Sequence, residues 1–229
     1  MINYFITATD TDAGKTYVAC ALVHALKNQQ NNSSKENRVA VYKPISAGCT
    51  LINNQLVNED AKLLALQANC QQSIQDINPI AFEKPIAPHI AGQQLSTEIS
   101  INQIVTGFKK VQSLNADYNL VEGAGGWRLP LGNKRYLSDF VKQVNLDVIL
   151  VVNMKLGCLN HAILTYESIV NDGLNCVAWV ANCQTDMPFL EENIDELTHL
   201  LPIPHLATLP FTNNINDAAS TFNLSVLTR

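Results

Sequence analysis

Gly14, Lys15 and Thr16 have the residue types and spacing of a phosphate-binding turn, and they open an apolar-periodic stretch after a β-branched run. A glycine lets backbone N–H groups converge on phosphate oxygens, a lysine neutralises charge on the outer phosphates, and a threonine hydroxyl can ligate Mg²⁺. A helix N-terminus adds a partial positive charge. We therefore predict that segment 8–16, ATDTDAGKT, cradles the phosphates of ATP.

The usual pattern GxxxxGK[ST] would place a glycine at position 9, where this chain has Thr9. The alternative is therefore a chance GKT in an ordinary turn. The strand before the segment and the helix after it favour the phosphate loop. A longer loop with Ala8 at its base would still wrap the phosphates.

Two acidic residues are candidates to hold Mg²⁺, which prefers hard oxygen ligands. Glu122 ends a predicted strand and precedes the glycine-rich run 123–126, so its carboxylate is expected in the crevice at the carboxyl end of the sheet. A helix-capping or loop acid is the alternative, which the glycine run disfavours. Asp60 begins the apolar-periodic segment 61–68, where an acid also suits a helix N-terminus on its own.

Lys43 and the turn 157–160 border the same crevice. Lys43 ends the second predicted strand just before Pro44, and from position alone a solvent-facing lysine is an equal alternative. The turn precedes a predicted helix, whose free N–H groups would suit a carboxylate.

The elements that must position these residues alternate between strand and helix. A β-branched and aromatic run predicts a strand at residues 4–8, and a second strand is predicted at 38–43, stopped by Pro44. Near-continuous apolar runs predict fully buried strands at 118–122, 147–153 and 176–182. Helical periodicity is found at residues 16–26, 61–68, 101–114, 137–144, 161–170 and 189–200. This order predicts a single α/β domain over residues 1–229, with a mainly parallel sheet flanked by helices. An exposed loop is expected at 29–37 and an irregular stretch at 80–94.

Composition limits the classes of partner. The chain has 229 residues, a net charge of −5 and no run of Lys or Arg, so binding to nucleic acid is not expected. No apolar stretch reaches about 18 residues and no signal-peptide pattern is visible, so we expect a cytoplasmic protein that does not contact the membrane. The six cysteines and five histidines have no metal-ligand spacing, and the cysteines are interpreted as reduced core residues.

Six motifs taken together give the chain a resemblance to a known family. They are TDTDAGKT at 9–16, YKPISAG at 42–48, NEDA at 58–61, VEGAGGW at 121–127, NMKLGCLNHA at 153–162 and WVAN at 179–182. In this order and spacing the chain resembles the dethiobiotin synthetase family of ATP-dependent ligases, which have the P-loop NTPase fold. The resemblance covers the chain from its first strand nearly to its end.

The resemblance implies a reaction and a set of site residues. 7,8-Diaminopelargonate takes up CO₂ as a carbamate, ATP phosphorylates the carbamate, and the second amine closes the ureido ring to give dethiobiotin, ADP and phosphate. The implied catalytic residues are Lys43, Lys15 and Thr11. ATP would be bound by Asp12, Ala13, Gly14, Lys15, Thr16, Tyr17, Asp60, Glu122, Gly123, Ala124, Gly125, Asn182, Cys183, Leu209, Pro210 and Phe211. The substrate would be bound by Thr11, Lys43, Ala47, Gly157, Cys158, Leu159 and Asn160, and Mg²⁺ by Thr16, Asp60 and Glu122. A homodimer that completes the carboxylate site across its interface is also implied.

The chain departs from the family pattern at three positions. Ala8 stands where the family usually has glycine, and Ala47 where it commonly has a hydroxyl residue; the neighbouring Ser46 is expected to point elsewhere. A family tyrosine that helps hold the carboxylate should fall near Asn193. These departures concern the diamine more than ATP.

Three other functions remain as alternatives. A partitioning-type ATPase would carry a signature lysine where this chain has Asp10. A cobyrinate-type amidating synthetase would need a further glutaminase domain. The third alternative is an ATP-binding scaffold that has lost catalysis.

Overall fold

The chain folds around one central sheet with helices on both faces. The computed structural model describes residues 1–29, 35–210, 212 and 214–227. The strands are β1 (Ile2–Ala8), β2 (Val39–Tyr42), β3 (Ile45–Ser46), β4 (Thr50–Ile52), β5 (Gln55–Val57), β6 (Ile80–Ala81), β7 (Tyr118–Glu122), β8 (Pro130–Gly132), β9 (Arg135–Tyr136), β10 (Asp147–Asn153), β11 (Cys176–Asn182) and β12 (His205–Leu209). The helices are α1 (Lys15–Asn28), α2 (Glu59–Gln67), α3 (Ile74–Ile77), α4 (Pro88–Gln94), α5 (Ile101–Gln112), α6 (Leu137–Val144), α7 (Cys158–Asn171), α8 (Leu190–Leu200) and α9 (Ile215–Ser220).

Six strands form the central sheet in the order β12-β11-β10-β1-β7-β2, and every pairing in it is parallel. Parallel neighbours need crossover connections, which the helices provide. The strands are largely apolar because helices cover both faces. Three two-stranded pairs, β3–β6, β4–β5 and β8–β9, lie outside this sheet.

The side chains of β1 alternate between two hydrophobic layers. Tyr4, Ile6 and Ala8 pack in the layer that contains α1 and α9, whereas Phe5 packs in the layer that contains α5, α6 and α7. This period of two is the geometry of an extended strand. The sheet is therefore buried on both faces, and its carboxyl edge, where the strands end, is left for ligands.

The register of three neighbouring strands determines which residues meet at that edge. Glu122, the last residue of β7, lies opposite Ile6 of β1, so β1 continues two residues further toward the phosphate loop. On the other side of β7, Tyr42 lies opposite Val121. The next residues, Lys43 and Glu122, are therefore lateral neighbours.

Most of the elements predicted from the sequence are present. The strands at 118–122, 147–153 and 176–182 and the helix at 137–144 have the predicted bounds. The stretch 80–94 was wrongly predicted to be irregular, because it contains β6 and α4. The predicted loop at 29–37 falls largely on residues 30–34, outside the described residues; at its end Asn37 is buried, and its amide donates to the Leu26 carbonyl at 2.8 Å.

The strand β12 was not predicted. Its five residues lie between Pro204 and Pro210 and carry no run that distinguishes them from a loop. Parallel pairing with β11 makes this segment a strand. None of the described helices is long and apolar enough to cross a membrane.

Candidate active site

The phosphate loop connects β1 to α1 at the centre of the carboxyl edge. Gly14 is the N-cap residue of α1 and has a φ of 78°, a left-handed conformation that glycine adopts without steric cost. No side chain among the described residues caps α1, and its first turn contains no acid. The N–H groups of this turn therefore suit an anionic ligand.

The base of the loop does not need the glycine that the usual pattern has at position 9. Thr9 continues the pairing of β1 with β10, since its N–H donates to the Val151 carbonyl at 3.0 Å. Its hydroxyl accepts from the Asn153 N–H at 3.4 Å. Ala8 is fully buried in regular strand pairing opposite Val151. The two departures from the glycine pattern are thus accommodated by ordinary β-structure.

Lys15 lies inside the curve of the loop. Its ammonium donates to the Asp10 carbonyl at 3.1 Å, which bridges the loop. Burial lowers the pKa of Lys15, and the nearby Glu122 carboxylate opposes that shift only in part. A desolvated cation at this position would be stabilised by an incoming phosphate.

Two amide side chains, one from the last residue of β11 and one from just after this strand, brace the same loop. Asn182, which is buried, donates through Nδ2 to the Ala13 carbonyl at 2.8 Å. The Gln184 amide, oriented to satisfy both groups, donates to the Asp12 carbonyl at 2.8 Å and accepts from the Gly14 N–H at 3.1 Å. These contacts hold three consecutive residues of the phosphate loop.

The charged centre of the site is formed by Lys43, Glu122, Asp60 and Thr16. The Lys43 ammonium lies 2.7 Å from Glu122 Oε1 and 3.0 Å from Asp60 Oδ2. The Thr16 hydroxyl donates to the same Glu122 oxygen at 2.7 Å. Burial by itself would lower the pKa of Lys43, but the Glu122 and Asp60 carboxylates outweigh it, so the pKa is raised. Lys43 is therefore a cation at neutral pH.

The second oxygen of Glu122 fits the expected magnesium site. Glu122 Oε2 is buried and has no hydrogen-bond partner among the residues that the structure describes. An unpaired buried carboxylate oxygen is costly unless a cation or water satisfies it. Asp60 and Thr16 provide the other oxygen atoms at this point, and within the described part of the chain no cluster of three His, Cys, Asp or Glu residues competes as a metal site.

A cavity of about 550 Å³ opens over this centre. The predicted residues that line it are Thr11, Asp12, Gly14, Lys15, Thr16, Lys43, Ala47, Asp60, Glu122, Ala124 and Gly125. Sequence reasoning missed Ser46, Asn58 and Gln184, which also line it. Ser46 and Asn58 belong to motifs used above, so proximity in sequence could have found them. Gln184 lies outside these motifs, and no pattern in the sequence pointed to it.

The remaining residues predicted for ATP lie around this cavity rather than in its wall. They are Ala13, Tyr17, Gly123, Asn182, Cys183, Leu209 and Pro210, whereas Phe211 lies outside the described residues. Tyr17 lines a second cavity of about 1010 Å³ that shares Thr16 with the first. Asn182, Cys183 and Leu209 are buried at the carboxyl ends of β11 and β12, and the Cys183 N–H donates to the Leu209 carbonyl at 2.9 Å.

The predicted carboxylate-binding turn lies at the N-terminus of α7. Gly157 caps this helix with a φ of 93°. Cys158 is buried behind it, whereas Asn160 is exposed. An ion pair of 3.3 Å between Lys155 and Asp10 joins this turn to the phosphate loop. None of residues 157–160 lines the 550 Å³ cavity, so within one chain they form a separate part of the same edge.

On the substrate side, the chain departs from the family pattern at Ala47, next to Ser46, and at Asn193. Ser46 does point elsewhere, as expected, because its hydroxyl donates to Asn78 Oδ1 at 2.6 Å. Ala47 therefore leaves the cavity wall without a free hydroxyl at that position. Asn193 lies on α8, and its amide donates to the Phe189 carbonyl at 2.7 Å.

The whole chain is similar in sequence to known proteins of one family. It is 45% identical to the ATP-dependent dethiobiotin synthetase BioD of Aeromonas salmonicida over 218 residues, which cover 93% of this chain and 92% of the relative. The corresponding protein of Alteromonas mediterranea is 45% identical over 94% of both chains. The chain belongs to the dethiobiotin synthetase family. The protein is therefore an enzyme of the ligase class.

More distant comparisons agree with the fold of a dethiobiotin synthetase. The sequence model of the family described as AAA domain matches residues 3–219. A ParA family ATPase from Chlorobium tepidum superimposes with a TM-score of 0.53 at 14% identity, over 99% of this chain and 91% of that one. The MinD cell division protein of Aquifex aeolicus gives a TM-score of 0.55 at 15% identity, over 96% and 86% of the two chains. At these identities the likeness concerns the fold alone.

Proposed function

We propose that this enzyme forms dethiobiotin from 7,8-diaminopelargonate, CO₂ and ATP, with the residues of the 550 Å³ cavity as its active site. The observation that carries the proposal is the Lys43 ammonium, buried between Glu122 and Asp60 beside the phosphate loop. A carbamate and a γ-phosphate are both anions, and a fixed cation between them favours their approach. Positioning and charge neutralisation are the main requirements of phosphoryl transfer.

The phosphate loop binds ATP in this proposal. The free N–H groups at the start of α1 and the Lys15 ammonium neutralise the phosphates, with Asp12, Ala13 and Gly14 contributing loop backbone. The glycine-rich turn at Gly123, Ala124 and Gly125 borders the phosphates from the β7 side. The nucleoside end would extend toward Tyr17, Asn182, Cys183, Leu209, Pro210 and Phe211.

Mg²⁺ would be held by Thr16, Asp60 and Glu122, where it would neutralise phosphate charge and so help the γ-phosphate to accept the carbamate. Support comes from the unpaired Glu122 Oε2 and from the Thr16 hydroxyl that already lies 2.7 Å from that carboxylate. Asp60 is half-exposed and faces Lys43, so it can move to share such a cation.

The proposed reaction has two steps, and Lys43 and Thr11 line the cavity in which both would take place. A carbamate oxygen attacks the γ-phosphorus, the bond from that phosphorus to the bridging oxygen breaks, and ADP leaves. The second amine attacks the carbamoyl carbon, loses a proton to water, and displaces phosphate as the C–O bond breaks. Lys43 stays protonated because its pKa is raised, so it stabilises negative charge and does not act as a base. Thr11 and Ala47 line the wall where the diamine would lie.

The carboxylate tail of the substrate would be bound by Gly157, Cys158, Leu159 and Asn160 across a homodimer interface. Large apolar side chains are exposed just before α7, on α7 and at the start of α8, which supports an interface: Leu156, Leu164 and Phe189 are exposed by 96%, 56% and 73%. The six cysteines carry no disulfide and are buried, which suits the reducing cytoplasm where we expect the enzyme to act.

Labelled bicarbonate tests the proposal. The purified protein, incubated with diaminopelargonate, ATP and Mg²⁺, should yield labelled dethiobiotin, and Lys43→Ala should reduce the rate by about 100-fold or more. Lys62→Ala is the matched control, because Lys62 is half-exposed on α2 and, among the described residues, forms its ion pair with the exposed Glu59. Absence of labelled product with the wild type would refute the proposed function. Full activity of Lys43→Ala would refute only the role of Lys43.

A further inference from the structure

Strand β2 lies at the edge of the central sheet, yet its outer side is not left open. In a parallel strand the N–H and C=O groups of every second residue point to the same side. On β2 and just beyond it, the groups that face away from β7 belong to Val39, Val41 and Lys43. All six of these groups are paired with the segment 69–78.

Two carboxamides pair with the strand itself. Asn69 accepts from the Val39 N–H at 2.7 Å through its side chain and donates to the Val39 carbonyl at 3.3 Å through its backbone. Gln72 accepts from the Val41 N–H at 3.0 Å and donates to the Val41 carbonyl at 2.8 Å. These contacts replace the strand that is missing at this edge, which also protects the edge from other chains.

The third pair holds the backbone of Lys43. Its N–H donates to the Ile77 carbonyl at 2.8 Å, and its carbonyl accepts from Asn78 Nδ2 at 2.7 Å. Pro44 follows directly and has no N–H to donate, so the hydrogen bonding of β2 ends at Lys43. The turn at Ile77 and Asn78 thus takes over at the point where the strand ends.

Asn78 also connects Lys43 to a second part of the cavity wall, formed by Ser46 and Ala47. Its Oδ1 accepts from the Ser46 hydroxyl at 2.6 Å, and Ser46 and Ala47 line the cavity. The side chain of Asn78 is buried, with a residue exposure of 4%, and it does not line the cavity itself. Asn78 therefore reaches the site only through other residues.

We propose that Asn78 is a positioning residue for Lys43, and this inference rests on the proposed function. The Lys43 ammonium must stay within hydrogen-bond distance of two carboxylates while it faces the reacting phosphate. Its side chain is buried and its ammonium is held by two carboxylates, so a shift of the Lys43 backbone would disturb those contacts. Asn78 fixes that backbone and the Ser46–Ala47 wall relative to each other through one carboxamide.

Loss of the carboxamide should affect turnover through Lys43. Asn78→Ala leaves the Lys43 carbonyl without its donor and removes the link from that carbonyl to the Ser46 hydroxyl. A shift of about 1 Å at a catalytic group can cost about 100-fold in rate. We expect kcat to fall by about 10- to 100-fold, with little change in the KM for ATP. Asn78→Asp, which keeps the shape and the acceptor for Ser46 but cannot donate to the Lys43 carbonyl, should show the same pattern.

The matched control is Gln72→Ala, since the Gln72 carboxamide also donates to a backbone carbonyl at this edge, that of Val41, and its hydrogen bonds are made to Val41 rather than to Lys43. It should lower the melting temperature while kcat stays within about twofold of the wild type. The double variant Asn78→Ala/Lys43→Ala should be no slower than Lys43→Ala alone. Equal losses of kcat in both carboxamide variants, or multiplicative effects in the double variant, would overturn the inference.

A second measurement does not depend on turnover. In protein labelled with ¹⁵N-lysine, the Lys43 ammonium signal, identified by its loss in Lys43→Ala, should change in Asn78→Ala and stay unchanged in Gln72→Ala. An unchanged signal in Asn78→Ala would refute the positioning role. If the wild type forms no dethiobiotin, the proposed function fails, whereas this spectrum still decides the role of Asn78.

Discussion

The Lys43 ammonium lies 2.7 Å from one carboxylate oxygen of Glu122, and the other oxygen of the same carboxylate is buried without a hydrogen-bond partner among the described residues. One side chain thus serves two purposes. Its first oxygen holds Lys43 and the Thr16 hydroxyl, and its second is available to a cation. This division follows from the register that brings the ends of β2 and β7 side by side.

Glu122→Gln should impair both purposes at once. The amide keeps the shape of the carboxylate but removes its charge, so binding of Mg²⁺ should weaken and the rate at saturating ATP should fall by about 100-fold or more. A titration of the rate with Mg²⁺ measures both effects. Glu59→Gln, on the exposed side of α2, is the control and should leave the titration unchanged. An unaltered Mg²⁺ dependence in Glu122→Gln would contradict the metal assignment.

Gly14→Ala should abolish ATP binding. A methyl group at this position would overlap the Asn182 amide and come within 2.5 Å of the Gln184 amide, in addition to the cost of the left-handed backbone, about 1–2 kcal/mol. Gly173→Ala provides the control, because Gly173 has the same φ of 78° and no described heavy atom within 4 Å of an added Cβ. Urea unfolding and ATP titration of both variants are the measurements. Equal destabilisation of the two, with ATP binding intact in both, would disprove the overlap.

Ala47→Ser should improve binding of the diamine. Ala47 lines the cavity where the family commonly has a hydroxyl residue, and Ser46 cannot substitute because its hydroxyl is bound to Asn78. A neutral hydrogen bond contributes about 0.5–1.5 kcal/mol, so the KM for diaminopelargonate should fall by about two- to tenfold. The KM for ATP, measured in the same assay, should not change. A KM for the diamine that stays the same or rises would place the substrate elsewhere.

Stability should decline in alkaline solution. Burial raises the pKa of the Cys20 and Cys176 thiols from about 9 to about 12. A raised pKa in the folded state means that the unfolded chain loses these protons first, so stability is full below about pH 9 and is lost as the pH rises toward about 12. In this window each thiol should lower the free energy of unfolding by about 1.4 kcal/mol per pH unit.

Urea unfolding in reducing buffer between about pH 8 and about pH 10.5 measures this effect. Cys20→Ala/Cys176→Ala should have a flatter dependence than the wild type. If the two slopes are equal, other groups are responsible for the alkaline loss of stability.

Local pattern was sufficient for most of the fold. Apolar, β-branched and aromatic runs predicted five of the six strands of the central sheet, because a strand covered on both faces is largely apolar. The segment at β12 was missed because five residues between prolines look like a loop until they pair with β11. The helix α4 was not recognised because Pro85, Pro88 and Gly92 interrupt the stretch 80–94 and indicated an irregular segment.

For the site, the sequence by itself determined the residue types: a phosphate loop before a helix, acids at strand ends, and a lysine beside a proline. Only the tertiary structure decided how they combine. From its position in the sequence alone, Lys43 could equally have faced solvent or the crevice. The register of β2 and β7 places it against Glu122. Gln184 on the phosphate loop and Asn78 behind Lys43 could not be predicted, because their contacts join segments that no local periodicity relates. A sequence pattern reports which face of its own element is buried, whereas lateral neighbours are determined by how the whole chain packs.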